Sequence, residues 1–118
     1  MGPDSVKRLE IWRDGVEVVK AVYRLTQGWP KQETYGLTAQ VRRSAVSITA
    51  NIAEGVGRGS AAEAARFAQI ALASVYELDT LLYLASELGM EGNPALRERL
   101  SSLSRRISSF ITYKQRGR

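Results

Sequence analysis

Four stretches of the chain repeat apolar residues with a helical period, and none alternates with a period of two. Between residues 5 and 27, Leu9, Trp12, Val16, Val19 and Tyr23 recur at three- and four-residue steps, the spacing that gathers side chains on one helical face. Lys7, Arg8, Asp14, Glu17, Lys20 and Arg24 take the other side, Asp4 or Ser5 is placed to cap the start, and Gly28-Trp29-Pro30 ends the segment. In the second segment, 37–55, Val41, Ala45, Ile48 and Ile52 form one apolar line, with Val46, Ala50 and Ala53 as a second. The third, 60–88, opens on Ser60-Ala61-Ala62-Glu63, a capping-box pattern. Phe67, Ala71, Ser74, Leu78, Leu81, Ala85 and Leu88 then run beside Ala68, Leu72, Val75 and Leu82. The fourth, 94–115, starts with Asn93 as cap and Pro94 at the first helical position. It carries Leu96, Leu100, Leu103, Ile107 and Phe110 inward.

Short connections between four helices predict an all-α fold, an antiparallel up-down-up-down four-helix bundle. No repeat or low-complexity linker interrupts it, and 118 residues make one domain, 1–118. Residues 67–76 contain no charge. A helix that is apolar nearly all round must be covered on more than one side. Parts of the second and third helices are therefore expected to lie against another subunit; the alternative is that the third helix sinks deeply into its own bundle.

Composition narrows the chemistry. With no Cys and no His, sulfur-based zinc sites, thiolate nucleophiles and the commonest general base and metal ligand are excluded. The expectation is a protein that is not an enzyme and uses no metal or cofactor. The N-terminus meets charge at Lys7 and Arg8 without an apolar stretch, so no signal peptide, membrane span or membrane partner is expected and the protein reads as cytoplasmic.

Charge adds a partner. The net charge is +5, yet residues 1–94 hold 10 basic and 11 acidic side chains. The excess lies in Arg97, Arg99, Arg105, Arg106, Lys114, Arg116 and Arg118, opposed there only by Glu98. On the fourth helix Arg105 and Arg116 point away from the apolar line, Arg99 and Arg106 share a flank, and Ser101, Ser102, Ser108 and Ser109 fill the gaps. Arginine forks with small hydroxyls suit phosphate oxygens without reading bases. Arg99, Arg105, Arg106 and Arg116 are thus the candidate nucleic-acid-binding residues, and four phosphate contacts predict a log–log salt slope of about −4 on duplex. The same pattern also fits a merely solvated helix. Apart from Tyr113, no aromatic is interleaved for stacking.

A polar stripe, Arg43, Ser47, Asn51, Glu54 and Arg58, falls within an arc of about 80° on the second helix. It reads either as a hydrogen-bonded seam or subunit contact that fixes register, with Asn51 bridging to the Glu54–Arg58 pair, or as an anion site with Arg43 and Arg58 as donors. The loop Gly55-Val56-Gly57-Arg58-Gly59-Ser60 is either a turn with Gly55 as helix C-cap or a phosphate cradle. It lacks the strand or the Gly-Lys-Ser/Thr of the nucleotide signatures.

The run Tyr35-Gly36-Leu37-Thr38-Ala39-Gln40-Val41-Arg42-Arg43-Ser44-Ala45-Val46-Ser47-Ile48, followed by Asn51-Ile52-Ala53-Glu54-Gly55-Val56-Gly57-Arg58, resembles a four-helix bundle protein family. That family is named after proteins encoded in intervening sequences of bacterial 23S ribosomal RNA genes. Trp29-Pro30-Lys31, Arg66-Phe67, Ile70-Ala71 and Glu77-Leu78 fit the same pattern, so the likeness spans residues 9–88 and reaches the last helix only as an amphipathic element. Thr49 departs from it, since the family often has Pro or a similar small residue there. The resemblance implies a closed homo-oligomer, with a pentamer favoured, and no known enzyme activity. A more distant likeness is to the accessory protein of diversity-generating retroelements, a basic pentamer that works with a reverse transcriptase and nucleic acid.

Two functions follow as expectations. One is a non-catalytic oligomer that binds RNA or DNA phosphates without sequence preference through the fourth helix. The other is an oligomeric scaffold for a protein partner, such as a reverse transcriptase or a ribosome-associated factor, with no direct nucleic-acid contact.

Overall fold

The computed structural model describes residues 2–117; Arg118, counted above in the basic run, lies outside them. Within that span the chain forms α1 (Pro3–Val6), α2 (Glu10–Thr26), a 3₁₀ turn (Lys31–Glu33), α3 (Leu37–Gly57), α4 (Ala61–Glu87) and α5 (Pro94–Gly117). Among the described residues there is no strand. Four of the helices are long, and the molecule's 46 Å long axis matches the roughly 40 Å rise of the 27-residue α4. α3 packs against α2 and α4, α4 against α3 and α5, and α5 against α2.

The segment expected as one helix over 5–27 is broken at Lys7–Leu9. A straight helix would carry Val6 onto the charged side with Glu10, Arg13 and Glu17, because four residues rotate about 400°. The break buries Val6, and the Arg13 guanidinium donates to the Lys7 carbonyl at 3.0 Å across it. Neither Asp4 nor Ser5 caps: the Ser5 hydroxyl donates to the Gly2 carbonyl at 2.7 Å, and Leu9 precedes α2. The deepest line of α2 is also one step round from the expected one. Ile11, Gly15, Val18, Val22 and Leu25 are buried, Leu9, Trp12 and Val19 only partly, and Tyr23 is exposed. Gly15 explains the shift. A Cβ there would stand 2.6 Å from Thr49 Cγ2, so α2 and α3 approach most closely where the sequence shows no hydrophobic residue.

α3 and α4 pack along one buried cluster. Val41, Ala45, Ile48 and Ile52 of α3 and Ala68, Ala71, Val75 and Leu78 of α4 all belong to it. Gly55 is not the cap of α3, which continues to Gly57; a Cβ on Gly55 would meet Phe67 Cβ at 2.8 Å and Ala64 Cα at 3.1 Å. The turn is made by Gly59, at φ +86°, a conformation a side chain disfavours. Ser60 accepts from the Glu63 backbone N–H at 3.1 Å, the forward half of the capping box. At the far end Gly89, also at φ +86°, completes a Schellman turn: Gly89 N–H donates to Ser86 O and Met90 N–H to Ala85 O, each at 3.0 Å. Asn93 caps α5 as expected, its Oδ1 accepting from Leu96 N–H at 3.1 Å. Trp29 seals this end, buried with its indole N–H donating to the Glu91 carbonyl at 3.0 Å.

The apolar breadth of residues 67–76 has a source within the chain. α4 lies between α3 and α5, and both of its apolar lines are buried or half-buried apart from Leu88. What remains uncovered is narrower: Val46 on α3 and Ile70, Tyr76, Tyr83, Leu84 and Leu88 on α4.

Two outcomes test this packing. Gly15→Ala is expected to destabilise the protein by about 1–3 kcal/mol through overpacking. Combining it with Thr49→Ser, which deletes the opposing methyl and keeps the hydroxyl's 3.0 Å bond to Val46 O, restores most of the loss in a thermal-melt double-mutant cycle. Ser44 is buried with its hydroxyl unpaired, a group whose desolvation costs about 1–3 kcal/mol. Ser44→Ala therefore raises the melting temperature; a lower one refutes the assignment.

Candidate nucleic-acid interface

α5 has three polar flanks because its apolar line, Leu96, Leu100, Leu103, Ile107 and Ile111, turns inward and is buried. The flank toward α4 carries Arg97, whose Nε donates to Asp79 Oδ1 at 2.9 Å while its guanidinium lies 5.8 Å from the Tyr83 ring centre. That hydrogen bond pushes the Arg97 pKa above the ordinary arginine value. The flank toward α2 carries Arg106. Its Nη2 donates to Glu10 Oε1 at 2.7 Å, and its Nη1 to the Asp14 carboxylate. Expected as a free phosphate donor, Arg106 is instead held by two acids more than ninety residues away in sequence.

The outward flank carries Arg105 and Arg116, and Arg99 lies on the same side of the helix as Arg106. Arg105 is exposed and donates to the Ser101 hydroxyl at 3.0 Å. Arg99 and Arg116 are exposed, and none of the three makes an ion pair among the described residues. Glu98 shares this side and subtracts one charge. Lys114, which the periodicity left without a role, sits with its ammonium 5.6 Å from the Phe110 ring centre and 5.8 Å from that of Tyr113. The structure thus leaves Arg99, Arg105 and Arg116 exposed and removes Arg106. Its acidic partners were visible in the sequence only as polar positions on the first helix.

The second helix's stripe divides into three parts. Ser47 and Ser74 share a 2.8 Å hydroxyl–hydroxyl bond between α3 and α4, and Asn51 Nδ2 donates to Ser47 O at 2.8 Å and Ser47 Oγ at 3.0 Å. The first of these bonds joins α3 to α4, and Asn51 does not bridge to Glu54 or Arg58. The second part is ionic: Arg58 donates to Glu54 Oε2 through Nε and Nη2 at 3.2 and 3.1 Å and reaches Glu63 at 3.5 Å. Arg66 donates to the other side of Glu63 at 2.9 Å, and both guanidiniums cover the Phe67 ring, at 4.9 and 4.5 Å. The Arg66 hydrogen bond lowers the Glu63 pKa below its ordinary value. Its stabilising contribution is therefore present above the usual glutamate range and is lost as pH falls through the lowered value. With two carboxylates on it, Arg58 is not a free anion donor. Arg43 stands apart, exposed and without an ion pair among the described residues.

Among the described residues no group of three or more acidic side chains could hold a metal ion, and no helix is long and apolar enough to cross a membrane. No curated protein matches the chain significantly. The family model for the 23S rRNA-intervening sequence protein matches residues 7–112, extending past the likeness seen at 9–88 into the fourth long helix. Since that match takes in every helix that builds the core, the chain belongs to the 23S rRNA-intervening sequence protein family.

Proposed function

We propose that this protein is a non-catalytic, cytoplasmic oligomer of antiparallel up-down-up-down bundles that binds RNA or DNA phosphates through the outward face of α5. One observation carries the reading: Arg99, Arg105 and Arg116 stay exposed and unpaired with any carboxylate among the described residues, although twelve acidic side chains are present in the chain. Three unpaired forks among hydroxyls give contact to a phosphate backbone and no base readout. A closed ring, with a pentamer favoured, repeats the face, so weak contacts add.

A scaffold that binds a protein partner is the second reading, favoured by the uncovered Val46, Ile70, Tyr76, Leu84 and Leu88. The same side chains are the ones available to seal neighbouring subunits.

An anisotropy titration with structured RNA tests the first reading. The slope of log affinity against log salt is about −3 per protomer engaged with duplex, from three contacts at roughly 0.9 each. Arg99, Arg105 and Arg116 changed together to Glu are expected to lower affinity at least about tenfold at 0.1 M salt; unchanged affinity overturns the reading. Arg106→Gln does the converse, lowering the melting temperature and leaving affinity unchanged. For the assembly, light scattering of Ile70→Glu with Leu84→Glu is expected to give the 13.0 kDa monomer where the native chain gives a multiple of it.

A further inference from the structure

The last two turns of α5 offer more than charge. Ser108, Ser109, Thr112, Tyr113, Arg116 and Gly117 line an open surface depression of ≈ 480 Å³, room for a nucleobase with its sugar. Tyr113 is 68 % exposed there, whereas Phe110 packs against the core. The Lys114 ammonium lies near one side of that ring, 5.8 Å from its centre, and Arg116 stands one turn further along the helix. The hydroxyls of Ser108, Ser109 and Thr112 make no hydrogen bond among the described residues, whereas those of Ser86 and Ser104 turn back onto the Tyr83 and Ser101 carbonyls at 2.7 Å. An exposed aromatic plane, the Arg116 guanidinium and three unspent hydroxyls thus converge on one spot, with Lys114 beside the ring and outside the depression.

We propose that this depression seats an unstacked nucleotide of single-stranded RNA: the base stacks on Tyr113, Arg116 takes a flanking phosphate, and the hydroxyl cluster meets the ribose 2′-OH. Every base has a π-face, so stacking adds affinity without sequence preference. A duplex keeps its bases stacked and cannot use the ring. The hydroxyls, which both donate and accept, match the group that distinguishes RNA from DNA. Tyr113 and Arg116 also lie beyond the segment matched by the family model, which ends at 112. The inference rests on the phosphate-binding reading of α5 and sharpens it to a strand type.

The test uses the full chain and three labelled probes: a 12-nucleotide oligo-rU, the matching oligo-dT and a 12-base-pair RNA duplex. Tyr113→Ala is expected to weaken oligo-rU binding about tenfold or more and duplex binding by less than about twofold. Tyr113→Phe keeps the native values, and oligo-dT binds the native protein more weakly than oligo-rU. Unchanged melting curves certify that these exposed-site variants fold. Equal loss on single strand and duplex, or no loss on either, overturns the stacking site while leaving arginine-dependent binding intact. Absence of binding by the native chain, or binding that survives the triple arginine-to-Glu exchange, removes the phosphate reading as well. Tyr113-dependent binding to phosphatidylserine vesicles with no effect on RNA assigns the ring to a lipid surface and likewise overturns the proposal.

Discussion

Close approach of α3 and α4 is the constraint on which the rest of the subunit depends. Gly55, Ala64, Ala65, Ala68 and Ala71 bring the two backbones together, with Gly55 admitting no added carbon without displacing Phe67 or Ala64. So close a pair leaves no gap for water, so the polar groups between them must satisfy one another. Ser47 and Ser74 do, through a single shared bond; Ser44 does not. Once this pair is set, α2 and α5 have fixed grooves to fill. The Gly15–Thr49 contact sets how near α2 comes, and α5 fills its own with Leu96, Leu100, Leu103 and Ile107.

Helix existence was legible in the sequence because apolar period and capping chemistry agree. Asn93-Pro94, Ser60 and the glycines at 59 and 89 mark real ends. What escaped the pattern has one common cause: small residues carry no hydrophobic signal. Gly15 and Gly55 are contact points, yet Gly15 is silent in the apolar period and Gly55 reads as a cap, so the buried face of α2 lies one step from the expected one and α3 runs two residues further. The break before Leu9 escaped because Val6 alone is too little to shift a periodicity. Ion-pair partners far apart in sequence escaped as well. Arg106 with Glu10 and Asp14 requires knowing which helices are neighbours, and helical period says only which way each residue faces.

The fate of the arginines on α5 follows from the same geometry. A helix packed between two others has one flank for each and one for solvent. Arg97 falls toward α4 and finds Asp79, and Arg106 falls toward α2 and finds two acids. These pairs tie α5 to both neighbours but, being partly exposed, contribute little each. Arg105 and Arg116 fall opposite the core, where no neighbouring helix of the same chain supplies a carboxylate and Glu98, two turns before Arg105, makes no ion pair among the described residues. Their lack of a partner is thus a consequence of where α5 must sit.

This separation also bears on how strongly a single subunit could hold a polyanion. With Arg97 and Arg106 neutralised and Glu98 on the outward side, the surplus on one subunit's outer face shrinks well below what the linear charge run suggests. Two or three screened arginine–phosphate contacts give weak, fast-exchanging association at physiological salt. Useful affinity then has to come either from repeating the face around an assembly or from a non-ionic term such as stacking, which salt does not screen. In the proposed assembly the uncovered apolar side chains on α3 and α4 would supply the means for the first. The exposed ring of Tyr113 supplies the second, and the two are physically independent. Salt dependence therefore separates them: a repeated ionic face steepens the salt slope with each subunit engaged, while stacking raises affinity and leaves the slope unchanged.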